Sequence, residues 1–169
     1  MCDPEIHEGG CLCGAIRYQT QGEPMRVTLC HCRYCQRATG AATMINANFE
    51  AAAFRLTRGT PTVYDHRSEG SGKLLHIHFC ARCGTKLYMT FERFPGYVGL
   101  YSGSFDDPAW IRPEPGRARQ IFLDSARPDA VILAGIDAYG QHATDAEGRP
   151  QVAHVFAHPV TVAEGWPPA

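Results

Sequence analysis

Three of the chain's eight cysteines lie within six residues, in the segment Cys-His-Cys-Arg-Tyr-Cys that runs from Cys30 to Cys35. A short turn can direct such closely spaced thiolates at one tetrahedral metal ion. Three protein ligands leave the fourth position of the tetrahedron open, which is typical of catalytic metal sites. We therefore interpret Cys30, Cys32 and Cys35 as the ligands of a candidate catalytic metal.

Two cysteine pairs stand elsewhere in the chain, Cys11 with Cys13 and Cys80 with Cys83. Together they offer four thiolates, and four protein ligands close a tetrahedral site, as in structural metal centres. Zinc is the first choice for this site because it adds no redox chemistry, and iron is the competing metal. Cys2 stands apart from the clusters, and we interpret it as a surface thiol.

The open position at the triplet suits a soft ligand that loses a proton when it binds, such as a substrate thiol. This indicates chemistry at sulfur, either addition to a carbonyl carbon or cleavage of a carbon–sulfur bond. Alternatives remain: a second structural zinc, a disulfide, a redox-sensitive triplet, or buried free cysteines. The candidate fourth ligands of a second structural site are His31, His66, His76 and His78. Because His31 lies between two proposed ligands, it could also move a proton or orient a ligand, or it could face away.

The sequence pattern around these cysteines is mostly that of short strands separated by turns, and it predicts a mainly β fold. Strands are predicted at residues 15–20, 25–29, 41–49, 54–57, 62–66, 74–79, 86–91, 97–101, 120–123 and 152–156. Residues 1–9 read as a loose lead-in, and residues 36–40 as one helical turn that ends at glycine. Three prolines predict a loop over residues 106–116, in which Asp106 and Asp107 form a turn or a helix cap. The strand from residue 74 to 79 would place His76 and His78 on one face, as a solvent-facing stripe or a pair of metal ligands.

Length and charge limit the classes of protein that this chain can represent. Its 169 residues predict one zinc-binding domain over residues 1–169, with the cysteine motifs within about residues 10–90. The 16 Lys and Arg against 17 Asp and Glu give none of the basic excess that is typical of nucleic-acid binders. The polar, acidic N-terminus is unlike a secretory signal, and the longest apolar run is too short to span a bilayer. We therefore expect no nucleic-acid or membrane partner, and a cytoplasmic location, where thiols stay reduced.

Three sequence blocks occur in an order that resembles a known family. The blocks are GCLCGAIRY at residues 10–18, CHCRYCQRATG at residues 30–40 and FCARCGT at residues 79–85. They resemble the glutathione-dependent formaldehyde-activating enzyme family, which also includes centromere protein V. The resemblance covers a little over half of the chain.

The resemblance implies a β-tent fold, in which short β-sheets are clipped by a structural zinc on Cys11, Cys13, Cys80 and Cys83. It implies a second, catalytic zinc on Cys30, Cys32 and Cys35. The implied activity is that of a carbon–sulfur lyase, which condenses glutathione with formaldehyde to S-hydroxymethylglutathione. The partners would then be a thiol such as glutathione and a small aldehyde, and the alternative is a non-catalytic zinc-binding module for protein interaction. Arg33, Arg37 and Lys73 could meet the carboxylates of a peptide thiol, although solvated surface charge is the commoner role of such residues.

Overall fold

Glycines and prolines divide the chain into short segments, most of which are too short for a stable helix but long enough for a strand. The computed structural model describes residues 5–167, so Cys2 lies outside the described residues. Strands account for 39% of the structure and helices for 14%. The predicted mainly β fold class is therefore confirmed.

Thirteen strands are present in the described part of the chain. In chain order they are β1 Ile6–Gly10, β2 Arg17–Gln21, β3 Arg26–Cys30, β4 Met44–Glu50, β5 Phe54–Arg58, β6 Thr62–Arg67, β7 Leu74–Phe79, β8 Lys86–Phe91, β9 Tyr97–Tyr101, β10 Ala118–Ile121, β11 Val131–Ile132, β12 Asp137–Ala138 and β13 Val160–Thr161. The α-helices are α1 Arg33–Thr39 and α2 Val162–Gly165. Single 3-10 turns form at Ala51–Ala53, Ser102–Ser104, Pro108–Trp110 and Leu123–Ser125.

The first of two compact units comprises residues 5–25 and 47–111. It contains the antiparallel ladder β1–β2–β5 and the antiparallel series β6–β7–β8–β9. Tyr18 is fully buried in this unit, where its ring meets Phe105 edge-on at 5.4 Å and its hydroxyl lies 2.8 Å from Ser104 Oγ. Strand β1 can lie against this ring because Gly9 has no side chain: a Cβ there would come within 2.4 Å of the ring.

The second compact unit comprises residues 26–46 and 112–167, and β4 carries the chain from this unit into the first. Strand β10 pairs in parallel with both β3 and β12, and β11 pairs antiparallel with β13. The core of this unit contains Leu123, Ile132 and Ala138, against which Phe156 and Trp166 pack. The parallel β3–β10 ladder leads directly into the segment that carries the cysteine triplet.

The predicted strands at residues 74–79, 86–91 and 97–101 have the same bounds as β7, β8 and β9. The loop predicted over residues 106–116 contains a single 3-10 turn, and the Asp107 carboxylate caps it by accepting a hydrogen bond from the Ala109 N–H. The expectation of a helix cap at this position is confirmed.

Three local expectations were wrong. Residues 6–9, predicted as part of a loose lead-in over residues 1–9, belong to β1 because the segment Ile6–Gly10 pairs with β2. The strand predicted at residues 152–156 is reduced to one bridge, at His154, because Val152 and Val155 are exposed and bury no apolar face. Helix α1 begins at Arg33, ahead of the predicted turn, so Cys35 lies inside the helix.

No helix among residues 5–167 has both the length and the hydropathy needed to cross a bilayer. The single-domain organisation over residues 1–169 stays a prediction.

Candidate metal centres

The four cysteines of the two pairs come together in the first unit. The sulfurs of Cys11, Cys13, Cys80 and Cys83 all lie within 4.8 Å of one another. The Cys13 Sγ lies 3.6 Å from Cys11 Sγ and 3.8 Å from Cys80 Sγ. Thiolates bonded to one tetrahedral zinc at about 2.3 Å would lie about 3.8 Å apart. The spacing and the all-sulfur donor set therefore fit a zinc ion.

Each pair is presented by a tight turn that follows a strand. After β1, the Gly14 N–H donates to the Cys11 carbonyl at 2.9 Å, and the Ile16 N–H donates to the Cys11 sulfur at 3.2 Å. After β7, the Gly84 N–H donates to the Cys80 carbonyl at 2.8 Å. Backbone N–H groups directed at sulfur stabilise a thiolate, so the turns supply part of the electrostatic environment as well as the geometry.

Thr85 connects the two turns of the four-cysteine cluster. Its hydroxyl accepts a hydrogen bond from the Leu12 N–H at 3.2 Å and lies 3.2 Å from the Cys83 sulfur. Hydrogen bonds from the Thr85 side chain, from its backbone N–H and from the Cys13 N–H lower the pKa of Cys83 to about 5. This thiol is therefore easily deprotonated, as a metal ligand must be.

The triplet forms in the second unit, where strand β3 ends and helix α1 begins. The sulfurs of Cys30, Cys32 and Cys35 lie within 4.8 Å of one another, and these three form the whole candidate ligand group at this position among residues 5–167. Cys30 is the last residue of β3, Cys32 is the N-cap of α1, and Cys35 lies in its first turn. The Cys35 N–H donates to the Cys32 sulfur at 3.3 Å. A strand end and a helix start therefore bring together three sulfurs that are spaced two and three residues apart.

The three thiols of the triplet differ in their tendency to ionise. Hydrogen bonds from the Cys30 and Cys35 thiols, and then from backbone N–H groups, lower the pKa of Cys32. The hydrogen bond to Cys32, and then burial, raise the pKa of Cys30, although the Cys35 thiol acts in the opposite direction. Hydrogen bonds to Cys30 and Cys32, and then burial, raise the pKa of Cys35. The cluster therefore holds one negative charge readily, and a cation is needed to stabilise three thiolates together. This donor set fits a zinc ion.

His31 is buried and does not belong to the ligand group of the triplet. Its Nδ1 lies 3.1 Å from the Thr43 hydroxyl, and its Nε2 lies 3.5 Å from the side-chain nitrogen of Gln120. The Gln120 oxygen accepts from the Leu133 N–H at 2.7 Å, so its nitrogen is the atom that donates towards His31. An imidazole that accepts at Nε2 is neutral and carries its proton on Nδ1. Burial also lowers the pKa of His31, in agreement with the neutral form.

Sequence reasoning missed two buried glutamines that surround the triplet. Gln36 donates to the carbonyls of His31 and Ser125, at 2.6 and 3.0 Å, and accepts from the Arg33 guanidinium. Gln120 donates to the Val131 carbonyl at 3.0 Å and is fully buried. No local signal marks them in the sequence, because Gln36 precedes Arg37 and Gln120 follows Arg119, as surface glutamines commonly do.

The other candidates named from sequence lie elsewhere. His76 and His78 share a face of β7, as expected, and contact Asp65 and Thr90 at 2.7 and 3.2 Å. Lys73 pairs with Glu92, whereas Arg37 is exposed. The cysteine residues of the described chain are all free thiols.

Fold and sites together define a mainly β protein with a four-sulfur and a three-sulfur cluster, each suited to a metal ion.

Three comparisons with known proteins show what this chain is similar to. The model of the glutathione-dependent formaldehyde-activating enzyme family matches residues 6–125. A Halomonas elongata protein, provisionally named a glutathione-dependent formaldehyde-activating enzyme, is 28% identical over 129 residues, which cover 75% of this chain and 80% of that protein. A crystal structure of a Rhodobacter sphaeroides protein aligns with a TM-score of 0.48 and 21% identity, over 63% of this chain and 91% of that one. Because the family match spans well over half of its length, the chain belongs to the glutathione-dependent formaldehyde-activating enzyme family.

Proposed function

We propose that this protein is a zinc-dependent carbon–sulfur lyase that condenses a thiol such as glutathione with formaldehyde. Family membership supports an enzyme with a glutathione-related, formaldehyde-activating function. The observation that carries the proposal is the triplet itself, in which Cys30, Cys32 and Cys35 converge with no fourth protein ligand among the described residues. Three-ligand sites leave room for a substrate, whereas four-ligand sites do not.

The two clusters would hold zinc for different purposes. Cys11, Cys13, Cys80 and Cys83 would hold a structural ion that joins two turns, separated by more than 60 residues of chain, within the first unit. Cys30, Cys32 and Cys35 would hold the catalytic ion. When bound at the triplet, zinc would supply the positive charge that keeps a thiol ligand deprotonated near neutral pH.

The proposed reaction forms one carbon–sulfur bond, between the thiol sulfur and the formaldehyde carbon, and the thiol proton ends on the former carbonyl oxygen. The chain itself contributes three sulfurs in fixed positions, two of which are buried from water. Cys30 and Cys35 are both 5% exposed, whereas Cys32 is partly exposed, so a substrate would approach from the side of Cys32. Exclusion of water around the buried sulfurs strengthens electrostatic interactions at the reacting sulfur.

Replacing Cys32 tests the proposed reaction. We expect Cys32→Ser to lower the protein-dependent rate of glutathione–formaldehyde condensation by on the order of a hundredfold or more, because losses of even indirect metal partners cost 10–100-fold. The rate would be measured by NMR exchange spectroscopy and corrected for the spontaneous reaction. Circular dichroism would show whether the variant keeps its fold, and Cys2→Ser, at the cysteine outside the three sequence clusters, is the matched control.

A folded Cys32→Ser protein with wild-type activity would contradict the catalytic role of the triplet. If wild-type protein loaded with zinc gave no acceleration over the spontaneous reaction, the enzyme proposal itself would fail. The alternative of a non-catalytic interaction module predicts that second result, and family membership does not favour it. We further propose a cytoplasmic location, where the free thiols of both clusters would stay reduced.

A further inference from the structure

Arg119 lies in β10, and its side chain is on the same face of the parallel β3–β10 ladder as Cys30, the first cysteine of the triplet. In the register between β10 and β3, Arg119 is opposite Thr28, and Ile121 is opposite Cys30. Residues two apart in a strand point to the same face, and paired residues share that face. The Arg119 side chain therefore lies beside Thr28, which is two residues before Cys30 in β3.

The guanidinium of Arg119 is partly buried and has no carboxylate partner among residues 5–167. Its Nε donates to the Thr28 hydroxyl at 3.4 Å, which is a long hydrogen bond. Asp137 is opposite Arg119 in the pairing of β10 with β12, yet no ion pair joins these two side chains. A partly buried arginine that lacks an anionic partner is costly unless an anion is supplied from outside.

The surroundings of Arg119 add positive charge. Burial, and next the nearby Arg26 guanidinium, lower the pKa of Arg119 to about 10, while Tyr139 and Cys30 act in the opposite direction. Arg119 therefore remains a cation at neutral pH. The Arg26 guanidinium and the Cys30 sulfur are both close enough to change its pKa. The Arg119 guanidinium therefore attracts an anion, and its planar fork matches a carboxylate in particular.

We propose that Arg119 forms a subsite that binds a carboxylate of the thiol substrate held at the cysteine triplet. The inference rests on the proposed function, because it assigns the subsite to the substrate of that same reaction. It identifies Arg119 as the residue that would select thiols carrying a carboxylate over thiols without one. It also replaces the sequence-based candidates, since Arg33 already contacts Gln36 and Lys73 already pairs with Glu92.

A different role for Arg119 would be to balance the negative charge of the three cysteine thiolates. The two roles predict different results for thiols of similar size that differ in charge. A charge-balancing arginine would affect every thiol equally, because its partner would be the cysteine cluster. A carboxylate subsite would affect only thiols that carry the carboxylate.

The test measures the dissociation constants of 3-mercaptopropionate and 2-mercaptoethanol for the zinc-loaded full-length protein by isothermal titration calorimetry. The quantity compared is the ratio of the two constants, so that intrinsic differences between the thiols cancel between variants. We expect Arg119→Gln to lower the preference for 3-mercaptopropionate by about tenfold or more while 2-mercaptoethanol binds as before. Arg119→Lys should keep part of the preference. Arg55→Gln, which removes an exposed arginine from β5 in the first unit, is the matched control and should leave the ratio unchanged.

An unchanged ratio in folded Arg119→Gln would overturn the subsite while leaving the proposed function intact. If neither thiol bound the wild-type protein, the proposed function would fail and the subsite with it. Should Arg119→Gln prove unfolded by circular dichroism, Arg119→Lys provides the comparison, because it keeps a cation but removes the planar fork. It supports the subsite if the ratio falls and overturns it if the ratio does not.

Discussion

At the scale of single residues, Gln36 shows how a buried amide can hold the cysteine triplet in place. Its side chain is 7% exposed, and both of its N–H groups are used, one by the carbonyl of His31 and one by the carbonyl of Ser125. Its oxygen accepts from Arg33. One residue thus ties helix α1 to the segment between two of the cysteines and to the turn at Leu123–Ser125.

Gln36→Leu keeps the approximate volume of this side chain and removes its hydrogen bonds. We expect a loss of about 2–4 kcal/mol in the free energy of unfolding, because buried carbonyls left without donors cost about 1–3 kcal/mol each. Chemical denaturation followed by circular dichroism would measure this loss. Gln151→Leu replaces an exposed glutamine of the same unit, and this control should change stability by less than about 0.5 kcal/mol. Equal stability of the two variants would contradict the role given to Gln36.

At the scale of elements, the turns that follow β1 and β7 depend on backbone conformations that glycine adopts without strain. Gly84 has a φ of 75°, in the left-handed region, and its N–H closes the turn onto the Cys80 carbonyl. A Cβ on Gly84 would meet nothing within 4 Å. The requirement for glycine is therefore conformational and does not arise from crowding.

Gly84→Ala should accordingly destabilise the protein by about 1–2 kcal/mol, the cost of a left-handed conformation for an ordinary residue. Gly84→Asn should cost less, because asparagine tolerates this region better than alanine does. Thermal unfolding of zinc-loaded protein would measure both effects. Gly103→Ala is the matched control, since a Cβ there also meets nothing and its φ lies outside the left-handed region. If Gly103→Ala destabilised the protein as much as Gly84→Ala, the left-handed conformation of Gly84 would not be the cause of the lost stability.

At the scale of the whole molecule, each of the two compact units carries one cysteine cluster. The four-cysteine cluster joins the turns after β1 and β7 in the first unit, and the triplet lies at the β3–α1 junction in the second. The four-cysteine cluster joins turns that are 67 residues apart in the chain, whereas the triplet lies within six residues. Loss of metal should therefore affect folding at the four-cysteine cluster more than at the triplet.

Elemental analysis should find about two zinc ions per chain in protein purified without chelator, one for each cluster. Cys80→Ser should lose the structural ion and much of the folded signal in circular dichroism, because a structural zinc contributes directly to the folding free energy. Cys32→Ser should lose one ion and keep the fold. A well-folded Cys80→Ser protein, or near-zero zinc in folded wild type, would contradict this division between the clusters.

The predictions from sequence agreed best with the structure where a feature is determined by a short stretch of chain. Cysteines two or three residues apart are brought together by one turn, so the triplet and each of the two pairs could be recognised as clusters from the sequence. That the two pairs meet, across 67 residues of chain, depends on the fold. The alternation of apolar and polar residues likewise placed β7, β8 and β9 with their observed bounds. Strand β1 was missed because its pattern is weak, and its pairing with β2 is what makes it a strand.

The sequence by itself determined the mainly β class, the close spacing of the cysteines within each pair and the triplet, and the resemblance that the family match confirmed, since all of these depend on neighbours in the chain. Tertiary structure alone decided which polar residues surround the triplet. Gln36 reaches Ser125, and Gln120 reaches His31, each across 89 residues of chain. Arg119 likewise acquires its position beside Cys30 from the parallel register of β10 with β3, and a register between distant strands is set by packing that no local pattern records.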